Sequence, residues 1–512
     1  MSEMNVRFVV PVYQRPYSWD EEQCARLLSD IYACGLRKST THFTGSIVTV
    51  QDGSLSRQGV APLLLIDGQQ RITTITLLLI ALARYAKAHP WERLAFSHEE
   101  IATGGYLTNH FRTGVDHYKL TLSKGDQACM QSLIDELTGT GEIAGGSPRL
   151  LENLAFYERE LLKLEDVNVV WSGLQRLEVV SIALAQGQDQ PQVIFESMNS
   201  TGKDLSSSDL VRNFVLMGYP MDEQDDVYRV YWAPIEQILG TRAYSAVFDD
   251  FIRSYLLVAQ PLTHLSENDA YQDFKRYVIV KSYNEGDRMR ILALRLKRFA
   301  GYYAAVTTGA VDDAEIAAAI ELIARLNVPQ INPLLLSLFD RCERKWFGRE
   351  QFLSALRLLE SYLFRRVACG CENESLAPLV ASIIARLDAR EGEGGDLGLT
   401  LETSLLNERG TARRFPSDAE FALALRTLAA REELVEEAAE EEGAEFDTSF
   451  DILALARSDE RVAALGGTLE EAAPMVWAMP EVSEETLRIY RTAEQERLMA
   501  LAEAEAEAEA EA

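Results

Sequence analysis

Residues 62–89 read PLLLIDGQQRITTITLLLIALARYAKAH, and this stretch restricts the fold more tightly than any composition can. Five consecutive residues, PLLLI, predict a buried strand, Asp67-Gly68 stops it, and the apolar run that follows predicts a helix. Strand, tight turn and helix thus succeed one another within a few residues. In an α/β fold, that junction is where ligands bind. Free amides at a helix start favour an anion, the hydroxyls of Thr73 and Thr74 add donors, and Arg71 offers a planar fork suited to phosphate oxygens. Asp67 could hold a magnesium ion. Gln69 or Gln70 could orient a water for attack on phosphorus, because phosphoryl transfer asks a protein mainly for positioning and charge stabilisation. The same pattern also fits a capping Asp67 and an Arg71 held in a structural salt bridge.

The surrounding chain supplies more strands and helices. VRFVVPV (6–12) reads as a short strand, and Pro11 and Pro16 keep YQRPYSW extended. A helix is expected from about Asp20 to Gly35, a second strand at FTGSIVTV and another around LEVVSIAL. The expected organisation is a mixed α/β (α+β) domain over 1–218 and an all-α domain over 219–388. A linker with a short helical segment follows over 389–420, and then an acidic Ala/Glu-rich tail over 421–512, solvated and either helical or disordered. That tail holds 24 acidic and 7 basic side chains, so it contributes −17 of the formal −29. A charge of −29 excludes a protein that coats nucleic acid through bulk positive charge, and any such contact must be local, near Arg7, Arg15 and Arg71. The six cysteines have no metal-ligand spacing, no apolar run is long enough to span a bilayer, and no secretory signal opens the chain. A soluble cytoplasmic protein without membrane contact is expected.

Two further stretches carry candidate chemistry. In FESMNSTGKDLSSSDLVRN, Asn199, Thr201 and Gly202 form a polar turn and Lys203 supplies a cation. Asp209, Arg212 and Asn213 then share one helical face, suited to a polar pocket or to a salt-bridged surface. In PVYQRPYSW, Tyr13, Tyr17 and Trp19 interleave with Gln14 and Arg15, a composition fit for base stacking, phosphate binding or an aromatic core. GxxxxGK[ST] occurs nowhere, which excludes a Walker-type cradle.

PVYQRPYSW, HFTGSIV, IDGQQRITT and FESMNSTGKDLSSSDLVRN, in this order, resemble the family found in the S half of GmrSD-type modification-dependent restriction enzymes. They also resemble SspE-type and BrxU-type phage-defence proteins. ESYLFRRVACG and TARRFPSDAEF are similar to the region that follows in that family. The resemblance implies a ParB/sulfiredoxin-like fold and hydrolysis of a nucleoside triphosphate, GTP or ATP, with Mg2+ as cofactor. Asp67, Gln69, Gln70 and Arg71 would be catalytic, and Gly68, Thr73, Asn199, Gly202, Lys203 and Asp209 would bind the nucleotide. Tyr13, Gln14 and Arg15 match the stretch that SspE-like members use to sense phosphorothioate DNA. The implied role is the sensor of an anti-phage restriction system acting on modified DNA, with self-association also open. The alternative is a non-catalytic regulator of a separate nuclease subunit. Family members carry more residues ahead of the YQR strand, so a first element is expected to be missing here. Fused members continue into an HNH nuclease, whose base is a histidine. The histidines are His42, His89, His98, His110, His117 and His264, so no HNH site is expected in the C-terminal half.

Overall fold

The computed structural model describes residues 6–37, 41–51, 60–109, 111–139, 146–185, 194, 206–219, 221–240, 244–261, 265, 269–283, 287–390, 397–408, 410–442, 452–489 and 492. The chain divides into two units, Met1–Arg229 and Val230–Ala512. The first is a mixed α/β unit around a five-stranded sheet, and the second is mostly helical.

The strands are β1 (Val6–Val9), β2 (His42–Gln51), β3 (Ala61–Asp67), β4 (Leu120–Thr121) and β5 (Leu177–Ala185). Their order is β4-β1-β3-β2-β5, with β1 parallel to β3 and β4, and β2 antiparallel to β3 and parallel to β5. The unbroken apolar run of β3 reflects burial on both faces. Leu65 joins a core with α1 (Glu21–Leu36), α2 (Gln69–Ala88), α3 (His98–Thr103), α4 (Lys124–Thr138), α5 (Pro148–Leu161) and α6 (Asn168–Leu174). Leu64 and Ile66 face the other way, toward Val48, Val50, Leu184 and, from α7 (Ser207–Met217), Leu210 and Met217.

In α2 every residue from Leu77 to Ala83 is buried, so this helix is central rather than amphipathic. Each fully buried Leu or Ile there contributes about 1.5–3 kcal/mol. α1 begins at a capping box, in which Asp20 accepts from the Glu22 amide and Gln23 accepts from the Asp20 amide.

In the helical unit, described parts of the stretches expected to be linker and solvated tail are packed. Helix Leu397–Leu406 buries Leu401, Leu405 and Leu406. Helix Asp418–Glu442 buries Phe421 and Leu425, and Trp477 stacks on Phe364 with centroids 3.8 Å apart. The Ala/Glu-rich composition concealed a sparse apolar stripe that becomes a docking face once helix Arg349–Ala368 is present. The terminal Glu-Ala repeat lies outside the described residues. Among the described residues no helix is long and apolar enough to cross a membrane.

Candidate functional site

β3 delivers Asp67 to its carboxyl end, and Gly68 turns the chain with φ +91. A Cβ at Gly68 would lie 3.1 Å from Ile47 Cγ1 and 3.2 Å from Ser46 O, so only glycine enters this turn without strain. α2 starts directly after it, with no side-chain cap and no acidic residue in its first turn. Its leading amides are the unsatisfied donors that suit an anion.

Arg71, in that first turn, lies half-buried across β2. Its Nη1 donates to Ser46 O at 2.5 Å. A Cβ on Gly45, at φ +104, would sit 3.0 Å from Arg71 Cζ, so the guanidinium rests flat on the backbone there. The β2–β5 register shifts between Phe43 and Ser46, and this irregularity makes room for the guanidinium. Ser46 O is its hydrogen-bond acceptor among the described residues, which leaves further donors for a ligand. The sequence reading missed Gly45 as a contributor, although HFTGSIV had been singled out as a motif.

The two glutamines separate sharply. Gln70 Oε1 accepts from Ser18 N at 2.9 Å and Trp19 N at 3.3 Å, while its Nε2 donates to Pro16 O at 3.4 Å. It therefore fastens the extended YQRPYSW stretch to the helix start. Gln69 is also buried, and its side chain makes no hydrogen bond among the described residues. The hydroxyls of Thr73 and Thr74 face inward and donate to Gln69 O and Gln70 O, both at 2.8 Å, the usual internal bond of a helical threonine. Neither is offered to a phosphate.

PVYQRPYSW is built into the fold. Tyr13 is 1% exposed and Gln14 4%, and Gln14 Nε2 donates to Ile66 O at 3.0 Å. Arg212 Nε donates to Tyr13 O at 2.7 Å, and its Nη2 to Asp209 Oδ1 at 2.6 Å. With its amide turned to suit its neighbours, Asn213 donates to Tyr13 O at 2.6 Å and Asp209 O at 3.2 Å. Tyr17 OH lies 2.7 Å from Thr74 Oγ1 and accepts from Asn153 Nδ2 at 3.0 Å, while Tyr17 N donates to Asp126 Oδ2 at 2.8 Å. Asn153 and Asp126 had no signal in the sequence beyond being polar residues on helices. Arg15 stays half-exposed, and burial holds its guanidinium below the usual arginine range while the nearby charge of Asp209 pulls it up.

Asp67, Gln69, Arg71, Arg15 and Asp209 thus gather around the carboxyl end of β3 and the segments tied to it. Arg7 does not join them. It pairs with Pro62 near the start of β3, five positions before Asp67, roughly 16 Å along the strand, and it lies 3.8 Å from Asp116. Asn199, Thr201, Gly202 and Lys203 lie outside the described residues.

Asp67 is half-buried, and its carboxylate has no hydrogen bond or ion pair among the described residues. A hard oxygen donor beside a helix start suited to an anion would fit magnesium, which needs only one or two carboxylates when phosphates supply the rest. No cluster of three or more His, Cys, Asp or Glu among the described residues could hold a metal by itself.

Residues 1–216 match a family model described as the GmrSD restriction endonuclease, N-terminal domain. No curated protein matches the chain.

Proposed function

We propose, from the match of residues 1–216 to the GmrSD restriction endonuclease N-terminal-domain model, that the chain is the nucleotide-driven sensor of a system restricting modified DNA. The observation that carries this reading is the β3–Gly68–α2 turn. An uncapped helix start, a guanidinium with donors to spare and a carboxylate without a described partner meet there. In this reading the α2 amides and Arg71 bind the phosphates of a nucleoside triphosphate. Asp67 holds magnesium, which supplies charge neutralisation at those phosphates.

Gln69 orients the attacking water, because the Gln70 amide is already committed to Pro16, Ser18 and Trp19. Sensing of the DNA mark falls to Arg15 more than to Tyr13 and Gln14, whose groups serve the fold. Asp209 tunes Arg15 through its charge and, with Arg212, secures the carbonyl just before Gln14. The mixed sheet with its ligand turn supports a ParB/sulfiredoxin-like reading of the unit.

The test is phosphate release from GTP and ATP by the full chain, with unmodified, phosphorothioate-marked and glucosylated DNA. Turnover that responds to one DNA and is lost in Arg71→Ala and Gln69→Ala bears the reading out. The engaged Gln70 favours one alternative, a binding regulator that acts on a separate nuclease subunit. Nucleotide binding without turnover under every condition would establish it.

A further inference from the structure

In the helical unit, helix Arg288–Thr308 carries two arginines one turn apart that the fold treats differently. Arg298 Nη2 is bridged to Asp340 Oδ1 at 2.8 Å. Arg295 is half-buried and makes no ion pair among the described residues. Its Cζ lies 5.6 Å from the ring centres of both Tyr255 and Phe299, and its guanidinium donates to the Tyr283 hydroxyl. A charge withdrawn from water without a counter-charge costs stability, and most of the N–H groups of this one have no acceptor within the fold.

The polar groups around Arg295 are phenols. Tyr255, from helix Tyr244–Ala259, and Tyr277, from helix Ala270–Val280, are buried with their hydroxyls 3.2 Å apart, and the Tyr277 and Tyr283 rings have centroids 5.6 Å apart. A single bond between two hydroxyls uses one proton and leaves the other without an acceptor. Burial pushes the Tyr255 phenol up to about 12 and raises Tyr277 too, so neither ionises near neutral pH to balance the arginine. The cluster therefore holds more donors than acceptors and a positive charge that no described carboxylate meets.

Tyr283 reaches this cluster at a backbone cost. Ser282 N donates to Ile279 O and Tyr283 N to Val278 O, both at 2.9 Å, with Ser282 left-handed at φ +51. Such a helix ending is usually built on glycine, and serine there is strained. The strained residue is the one that turns Tyr283 back toward Arg295.

We propose that Arg295, Tyr277 and Tyr283 form an oxyanion site in the helical unit, which takes a phosphoryl group as the acceptor and counter-charge that the cluster lacks. A planar guanidinium pairs with two oxygens of such a group, and the hydroxyls donate to the others. The phosphoryl group belongs to a free phosphate or to a nucleic-acid backbone, and the proposal does not depend on the nucleotide reading.

The full chain carrying Arg71→Ala, so that phosphate bound at the Asp67 turn does not obscure the result, is titrated by calorimetry with inorganic phosphate, a single-stranded oligothymidylate and acetate. Phosphate binds and raises the melting temperature. Adding Tyr283→Phe, which removes one hydroxyl, weakens binding about 10-fold, and adding Arg295→Gln weakens it about 30-fold or more, whereas Arg298→Gln leaves it unchanged. Oligothymidylate that binds with the same dependence on Arg295 and is displaced by phosphate identifies a nucleic-acid backbone, and binding of phosphate alone identifies a small phosphate. Equal phosphate affinity in the Tyr283→Phe and Arg295→Gln chains overturns the site, as does a parent that binds neither phosphate nor oligothymidylate. Acetate bound as tightly as phosphate overturns the phosphoryl assignment.

Discussion

Arg71 in the α/β unit and Arg365 in the helical unit both lie in stretches that carry the family resemblance, yet the two units use them in opposite ways. Arg365 is wholly buried. It donates to Trp477 O at 2.5 Å, Pro416 O at 3.0 Å, Pro474 O at 3.3 Å and Asp418 Oδ1 at 2.6 Å, and it lies 5.1 Å from the Phe421 ring. Its neighbour Arg366, equally buried, donates to Ala412 O, Arg414 O, Asn373 Oδ1 and Glu372 O. Together they clamp TARRFPSD to the helix that carries ESYLFRR. Arg71 instead makes one described hydrogen bond at the mouth of a turn. A guanidinium with every nitrogen engaged is part of the fold, whereas one with nitrogens left over is available to a ligand.

The widest break in that contrast should come from Arg365→Ala. It strips buried carbonyls of their donor and should destabilise the helical unit by about 3–5 kcal/mol, read by denaturant unfolding. Arg71→Ala should do the reverse, lowering phosphate release by about 100-fold, the scale of a lost charge-stabilising donor, with unfolding nearly unchanged. Gln70→Ala should cost about 1–3 kcal/mol of stability by leaving the Ser18 and Trp19 amides unpaired, and Gln69→Ala should cost far less. Comparing the two by thermal melting and turnover tests their division of labour.

Gly45→Ala should cost about 1 kcal/mol for its left-handed backbone and also displace the Arg71 guanidinium, so stability and turnover should fall together. The smallest effect concerns Asp459. Burial raises its carboxyl pKa, but hydrogen bonds from Arg461 outweigh this and leave it below the usual value. A depressed folded pKa contributes stability above about pH 4 that is lost as pH falls through the lower value. Asp459→Asn should therefore melt earlier than wild type at neutral pH, and the gap should close in acid.

What the sequence by itself determined is local. Five apolar residues before Asp67-Gly68 predict β3, the turn and α2, because each depends on side-chain periodicity and on a glycine at one backbone position. Asp20 and Gln23 announce the start of α1 in the same way. Asp209, Arg212 and Asn213 were legible as one helical face, since helical spacing alone puts them there.

The tertiary structure decided which polar groups remain available. Gln70 reaches Ser18 across 52 positions, and Arg212 reaches Tyr13 across 199. No spacing rule spans such separations, so Gln69 and Gln70 look equivalent until the chain is folded. The same holds for Thr73 and Thr74, whose hydroxyls turn inward, and for Arg7, which the parallel register of β1 on β3 carries away from Asp67. It holds too for the acidic C-terminal region, where Phe421, Leu425 and Trp477 find a core only when helix Arg349–Ala368 provides it. Residue type sets what a group can do, and long-range packing sets whether the fold has already used it.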